Sequence, residues 1–139
     1  MQEDFYQKLI EYRNTTNHFA RENGIVTTVI RDGYAEVEMV VEPKHMNSIG
    51  SVHGGCLFTI ADFCTGSAAS SGGMKMTTMN ASFSYLRAGI GSTKLIGRSE
   101  VIKRGRRASV IRTDVCDQDG RLLCTGTFTA MSLDKPIEL

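Results

Sequence analysis

Residues 54–71 read Gly54-Gly55-Cys-Leu-Phe-Thr-Ile-Ala-Asp62-Phe-Cys-Thr-Gly-Ser-Ala-Ala-Ser-Ser. Leu57, Phe58, Ile60, Ala61, Phe63, Cys64, Ala68 and Ala69 surround a helical cylinder instead of lining one stripe of it. A helix that is apolar on nearly all sides is buried by the rest of its protein. Gly72-Gly73 closes the segment. One buried helix needs a wrapping, and the flanking sequence supplies strands.

Upstream, 25–31 and 34–41 are rich in β-branched residues and meet at Asp32-Gly33, a hairpin signal. Ala35, Val37, Met39 and Val41 alternate with Glu36 and Glu38, so one face is buried and the other wet. Pro43 ends that run. Downstream, 74–86, 93–103, 107–117 and 121–133 read as four more strands. They are divided by turn signals at 88–91, Arg104-Gly105 and Asp119-Gly120. Leu95, Gly97, Ser99 and Val101 face one side, Lys94, Arg98 and Glu100 the other. The last three strands have short connections, which predicts an antiparallel meander. Residues 3–22 place Phe5, Leu9, Tyr12 and Phe19 at helical spacing, with a break at Asn14-Thr-Thr-Asn17 and a stop at Asn23-Gly24. Helices on one side of an antiparallel sheet predict an α+β fold.

The chain has 139 residues, enough for one domain with a core of its own, and no linker or repeat divides it. We therefore expect a single domain over residues 1–139. A net charge of +1 argues against nucleic acid or an anionic membrane as the main partner. No apolar run approaches the roughly 20 residues of a bilayer span. The acidic start has no basic, apolar leader pattern, so the expectation is a soluble, cytoplasmic chain. The four cysteines form no CxxC pair and no cluster with zinc-ligand spacing. Cys56 and Cys64 would lie about 12 Å apart on a helix, too far for a disulfide. Cys116 and Cys124 flank a hairpin and could lie near each other. We expect four reduced thiols, no metal and no redox cofactor.

Asp62 is the only formally charged residue between His53 and Met74. A carboxylate in apolar surroundings costs several kcal/mol unless paired or hydrogen-bonded. Alone, Asp62 could equally face solvent or satisfy a loop. The preceding run, His45-Met-Asn47-Ser-Ile-Gly50-Ser-Val-His53-Gly54-Gly55, places two glycines in the first helical turn. Backbone N–H groups there have no helical partner and lie at the positive end of the dipole. That suits a developing oxyanion, and glycine lets a ligand approach closely. Asp62 lies eight residues beyond Gly54, about 12 Å along the helix, too far for both to act on one bond within one subunit. If both are catalytic, a second subunit must supply one of them.

The run His45-x-Asn47-x-x-Gly50-x-x-His53-Gly54-Gly55-x6-Asp62 resembles the signature of PaaI-type hotdog thioesterases. The resemblance extends to Asn23-Gly24-Ile25, Ser84-Tyr85-Leu86-Arg87, Lys103-Arg-Gly-Arg106 and Thr125-Gly-Thr-Phe128. It implies a hotdog fold, a bent antiparallel sheet around one central helix, with an N-terminal helix added. It implies hydrolysis of acyl-CoA thioesters, with coenzyme A arriving as part of the substrate. Asp62 would match the nucleophile or general base and Gly54 the amide that polarises the carbonyl. Asn47 would match the side chain orienting water or substrate. His53 would shape the pocket by hydrogen bonds, with Gly55 beside it on the substrate side. Thr78, or alternatively Thr77, would stand beside the carboxylate. Lys103, Arg104, Arg106 and Arg107 fall where relatives bind the CoA phosphates. We expect Phe58 and Phe63, with residues of a partner subunit, to line the acyl pocket. His45 is a weaker site candidate, and His18 has no assigned role. Family members commonly assemble as a dimer of dimers, so a homotetramer is expected. One departure is Ala88, where many relatives have proline after the Leu-Arg pair; it affects the following loop.

Two other readings use the same fold. One is a non-catalytic acyl-CoA-binding module, against which the complete Asn47, Gly54 and Asp62 set argues. The other is a dehydratase or hydratase, but those generally pair a carboxylate with a histidine in a different motif.

Overall fold

Each expected strand is present in a computed structural model that describes residues 2–139. Strands β1 (Ile25–Arg31) and β2 (Tyr34–Val40) form a hairpin whose turn residue Gly33 adopts φ +69°. The long helix, α3 (Gly54–Ala69), follows and ends in a 3-10 turn over Ser70–Gly72. Then come β3 (Met74–Tyr85), β4 (Lys94–Arg104), β5 (Ala108–Asp117) and β6 (Leu122–Pro136). End positions move little; the largest shift is in β6, which runs on to Pro136.

All neighbours are antiparallel and the sheet order is β1-β2-β4-β5-β6-β3. The meander β4-β5-β6 is as expected. What local pattern does not give is the place of β3. It crosses under the sheet with α3 and joins the far edge, pairing with β6.

The inner face of the sheet is apolar where the alternation predicts: Ala35, Val37, Met39, Leu95, Ile111, Val115, Phe128 and Ala130 are buried. They close on Leu57, Ile60, Ala61, Phe63, Cys64 and Ala68 of α3. Gly97 makes this approach possible. A Cβ there would lie 2.9 Å from Val37 Cγ2 and 3.2 Å from Ile60 Cγ2. Most polar groups sealed in the layer are paired, as burial demands, Ser109 Oγ being an exception. Thr113 Oγ1 bonds both Thr65 Oγ1 (2.7 Å) and Ser99 Oγ (2.6 Å). This is the hotdog arrangement.

The N-terminal segment forms α1 (Gln2–Thr16) and the short α2 (His18–Glu22). Leu9 is fully buried, and Phe5, Tyr6, Ile10 and Tyr12 pack against the core it belongs to. The break falls at Asn17, whose Oδ1 accepts from the Ala20 amide at 3.0 Å and starts the second helix. Phe19 departs from expectation. The new helix loses the phase of the first, and Phe19 is 67% exposed.

All four cysteines are free. Cys124 is the cross-strand partner of Val115, so it shares a face with Val115 and not with Cys116. Among the described residues, no helix is long and apolar enough to cross a membrane.

Candidate active site

Helix α3 is buried on most sides, but Asp62, Thr59 and Gly66 on one face remain partly open. They border a cavity of about 350 Å³ whose other walls include Arg13, Phe19 and Thr78. Thr78 Oγ1 donates to Asp62 Oδ1 at 2.7 Å. The register of β3 against β6 slips between Thr78 and Asn80, leaving Met79 as the extra residue of a bulge. Bulges re-aim side chains locally. Thr78 therefore reaches the carboxylate, while Thr77 lines the cavity without that bond.

Sequence reasoning assigned nothing to Arg13, yet it lies against the same cavity. Its Nε donates to Ser67 Oγ at 3.1 Å and its Nη2 to the Phe63 carbonyl at 3.0 Å. The guanidinium carbon stands 4.7 Å from the Phe63 ring centroid. Desolvation by burial pushes the group down to about 10, while the Asp62 carboxylate acts in the opposite sense. Arg13 is thus a cation at neutral pH. The signal available in the sequence was the small pair Gly66-Ser67, one turn beyond Asp62, where a guanidinium finds room.

At the other end of α3, His53 is the N-cap, its Nδ1 accepting from the Gly55 amide at 2.9 Å. Accepting there puts the proton of the neutral ring on Nε2. The Gly54 amide has no acceptor among the described residues. Tyr85, also unassigned from sequence, donates its hydroxyl to the Gly54 carbonyl at 2.9 Å. Gly54 opens with Tyr85, Leu86 and Gly89 onto a cavity of about 280 Å³. Gly55 opens with His53, Cys56 and Met46 onto another of about 330 Å³. Phe19 and Thr59 stand between this third cavity and that of Asp62, lining both. Within one chain, then, Asp62 and Thr78 are together, while Gly54 faces a different space.

Asn47 is turned into its own loop. Its Oδ1 accepts from the Ile49 and Ser51 amides (3.1 and 3.0 Å), and its Nδ2 donates to Ser51 Oγ at 2.9 Å. One Nδ2 hydrogen remains. His45 is buried and tied down, Nδ1 accepting from the Glu42 amide at 3.0 Å and Nε2 bonded to the Asn23 carbonyl at 2.9 Å. Arg104, grouped on sequence with the other cations of this turn, is directed onto the C-terminal end of α3. It donates to the Ala69 carbonyl (3.1 Å) and Ser71 Oγ (3.0 Å), with Asp32 3.8 Å away. A cation is stabilising at that negative end of the helix dipole. Lys103, Arg106 and Arg107 are exposed at the β4–β5 turn. Arg106 borders a cleft with Met76, which also lines the Asp62 cavity. Phe63 is buried, and Phe58 packs edge-on to Phe83 at 5.2 Å.

Residues 49–124 match the profile of the thioesterase superfamily. A protein of Archaeoglobus fulgidus provisionally described as an esterase is 29% identical over 109 residues, covering 77% of this chain and 71% of that protein. The acyl-coenzyme A thioesterase PaaI of Escherichia coli is 28% identical over 99 residues, 71% of each chain. A structure of E. coli PaaI superposes over 96% of both chains with a TM-score of 0.90, at 22% identity. A hypothetical thioesterase of Streptococcus pneumoniae, solved with coenzyme A, superposes with a TM-score of 0.82 at 30% identity, over 92% of this chain and 99% of that one. Two variants of that streptococcal protein have also been solved, one replacing an aspartate and one a threonine by alanine. The two replaced positions are 16 apart, as are Asp62 and Thr78 here. Sheet order, central helix and these matches agree, and the chain belongs to the thioesterase superfamily as a hotdog-fold member of the PaaI type.

Proposed function

We propose that this protein hydrolyses acyl-CoA thioesters to a free acid and coenzyme A, at sites shared between two copies of the chain. The observation that carries the reading is the separation of two complementary groups. Asp62, held by Thr78, opens on one cavity, and the unpartnered Gly54 amide opens on another. A second copy that brings its Gly54 opposite Asp62 completes the set. The β3 edge suits that contact: its outer side pairs with no other strand, and Met79 and Tyr85 on it, with Leu86 just beyond, are exposed. A long unpaired edge strand is a template for pairing.

In this scheme Asp62 either attacks the thioester carbonyl carbon or takes a proton from the water that does. The carbonyl oxygen gains negative charge and is met by the Gly54 N–H. Collapse breaks the carbon–sulfur bond, and the departing CoA thiolate takes up a proton. In the direct-attack route, water then hydrolyses the acyl-Asp62 anhydride. His53 supports the arrangement by occupying the Gly55 amide, which leaves that of Gly54 free. The remaining Asn47 hydrogen is available to a water. Lys103, Arg106 and Arg107 are exposed cations free for the CoA phosphates, and the cleft that Arg106 borders with Met76 leads toward Asp62. The coenzyme A in the streptococcal structure and the matching aspartate–threonine spacing support this assignment.

The test is thiol release from a panel of aryl and straight-chain acyl-CoA esters. Asp62→Ala should lose about 10²–10⁴-fold in rate. Near-normal turnover in a folded Asp62→Ala protein would sink the assignment. Mixed oligomers test the sharing. Proline is tolerated at the first helical position and removes the N–H, and His53 already has the extended φ −59°, ψ 135° that a residue before proline favours. Gly54→Pro and Asp62→Ala should each be inactive alone and regain activity when co-assembled. No recovery in verified mixed oligomers would place both groups in one subunit's site.

A further inference from the structure

Arg13 has no carboxylate within ion-pair distance among the described residues. Its acceptors are the neutral Ser67 hydroxyl and Phe63 carbonyl, which use two of its five N–H groups. The buried side-chain N and O atoms without a partner are Ser92 Oγ and Ser109 Oγ alone among the described residues. The Nη1 group is therefore not sealed in, and Arg13 lines the cavity of Asp62. The seat is shaped for the guanidinium. A Cβ on Gly66 would come within 2.6 Å of Nη2, and the Phe63 ring supports the planar group. A desolvated cation with unused, forked donors at the wall of a ligand cavity matches a carboxylate, the group it can bind bidentately. Gly66 lies one helical turn from Asp62, about 6 Å. That is roughly the reach of a four- or five-carbon chain with bonds of about 1.5 Å.

We propose that Arg13 selects the acyl group, receiving the distal carboxylate of a short ω-carboxyacyl thioester of the succinyl or glutaryl class. The inference rests on the thioesterase reading of the Asp62 cavity and adds its substrate class. The polar cavity between Asp62 and Arg13 takes the charged chain. The neighbouring cavity beyond Phe19 and Thr59, walled by Ile25, Met46 and Cys56, is the more apolar of the two.

The experiment compares kcat/KM for glutaryl-CoA and pentanoyl-CoA, which differ in the terminal carboxylate, in the wild type and in Arg13→Gln. Equilibrium binding of both esters to Asp62→Asn protein runs beside it. The wild type should favour glutaryl-CoA by about tenfold or more, as a charge-assisted hydrogen bond allows. Arg13→Gln should lose about ten- to hundredfold on glutaryl-CoA and stay within about threefold on pentanoyl-CoA. Equal efficiency of the wild type on both esters overturns the proposal, whether or not the variant folds. So does an equal loss on both in Arg13→Gln, which would mark Arg13 as support for Asp62. Tighter binding of glutaryl-CoA with no hydrolysis of either ester would keep the selector and remove the thioesterase reading. Hydrolysis of both without discrimination would do the reverse.

Discussion

Gly97→Ala should damage both the fold and the site, and Val37→Ala should repair part of the damage. Gly97 and Val37 are cross-strand partners in β4 and β2. The new methyl would lie 2.9 Å from Val37 Cγ2, 3.2 Å from Ile60 Cγ2 and 3.4 Å from Cys64 Cβ. Carbon atoms pack best at about 3.5–4.0 Å, so α3 or Val37 must retreat by about half an ångström or more. Overpacking of this kind costs about 1–3 kcal/mol. We take about 2 kcal/mol, which for a chain of this size lowers Tm by about 6–8 °C. Val37→Ala alone removes two buried methyls and should cost a similar amount, about 2 kcal/mol. Together they trade one methyl in for two out, and the closest clash disappears. The double variant should therefore sit near about 2 kcal/mol, not about 4, a coupling well above the usual additivity error of about 0.5 kcal/mol. Thermal unfolding at one fixed protein concentration measures this, since assembly shifts Tm by mass action. Thiol release should follow the same pattern, because Ile60 and Asp62 ride on one helix and small misplacements are costly. Additive stabilities within about 0.5 kcal/mol would refute the packing argument.

Thr78→Val should lower kcat/KM by about ten- to hundredfold with KM little changed, since it removes one hydrogen bond to a charged group; an unaltered kcat would show the contact to be idle. Arg104→Met should lower Tm and leave KM for CoA esters alone, because its guanidinium is anchored on Ala69 and Ser71 at the end of α3. Lys103→Ala with Arg106→Ala should raise KM, more so at low salt. The opposite split between these variants would exchange their roles. Burial pushes the Cys64 and Cys124 thiols up to about 12, so at pH 8 they hold almost no thiolate, the reactive form. A disulfide reagent should reach at most Cys56 and Cys116 in the native protein, and slowly, and all four in denaturant. Fast labelling of a third thiol in native protein would contradict that burial.

Periodicity made the elements legible because each is a local pattern. The all-round apolar 54–71 run gave the central helix, and the alternation of Ala35, Val37 and Met39 gave the inward face of β2. The position of β3 was not legible. Nothing in residues 74–86 says that their partner is β6, since pairing across the chain depends on the whole wrapped sheet. Among candidate site residues, Asp62 stood out by being the lone charge in an apolar run, and its spacing from Gly54 matches their separation into two cavities. The choice of Thr78 over Thr77 depended on a bulge, which sequence does not announce. Arg13 and Arg104 were missed or misplaced for one reason. A long side chain can reach inward from an outward-looking position, and only the three-dimensional neighbours, Gly66 and Ser67 or Ala69 and Ser71, show that it does.

The edge position of β3 also has a temporal side. Thr78 is held in place by the pairing of β3 with β6, where it stands opposite Ala130. During synthesis the ribosome makes Asp62 and Thr78 well before it makes that partner. Contacts so distant in sequence form only after the intervening chain is available to close the loop. The nascent protein therefore carries its carboxylate without the hydroxyl that steadies it until the final strand emerges. A chain interrupted before β6 would leave β3 without its partner and lose the pair.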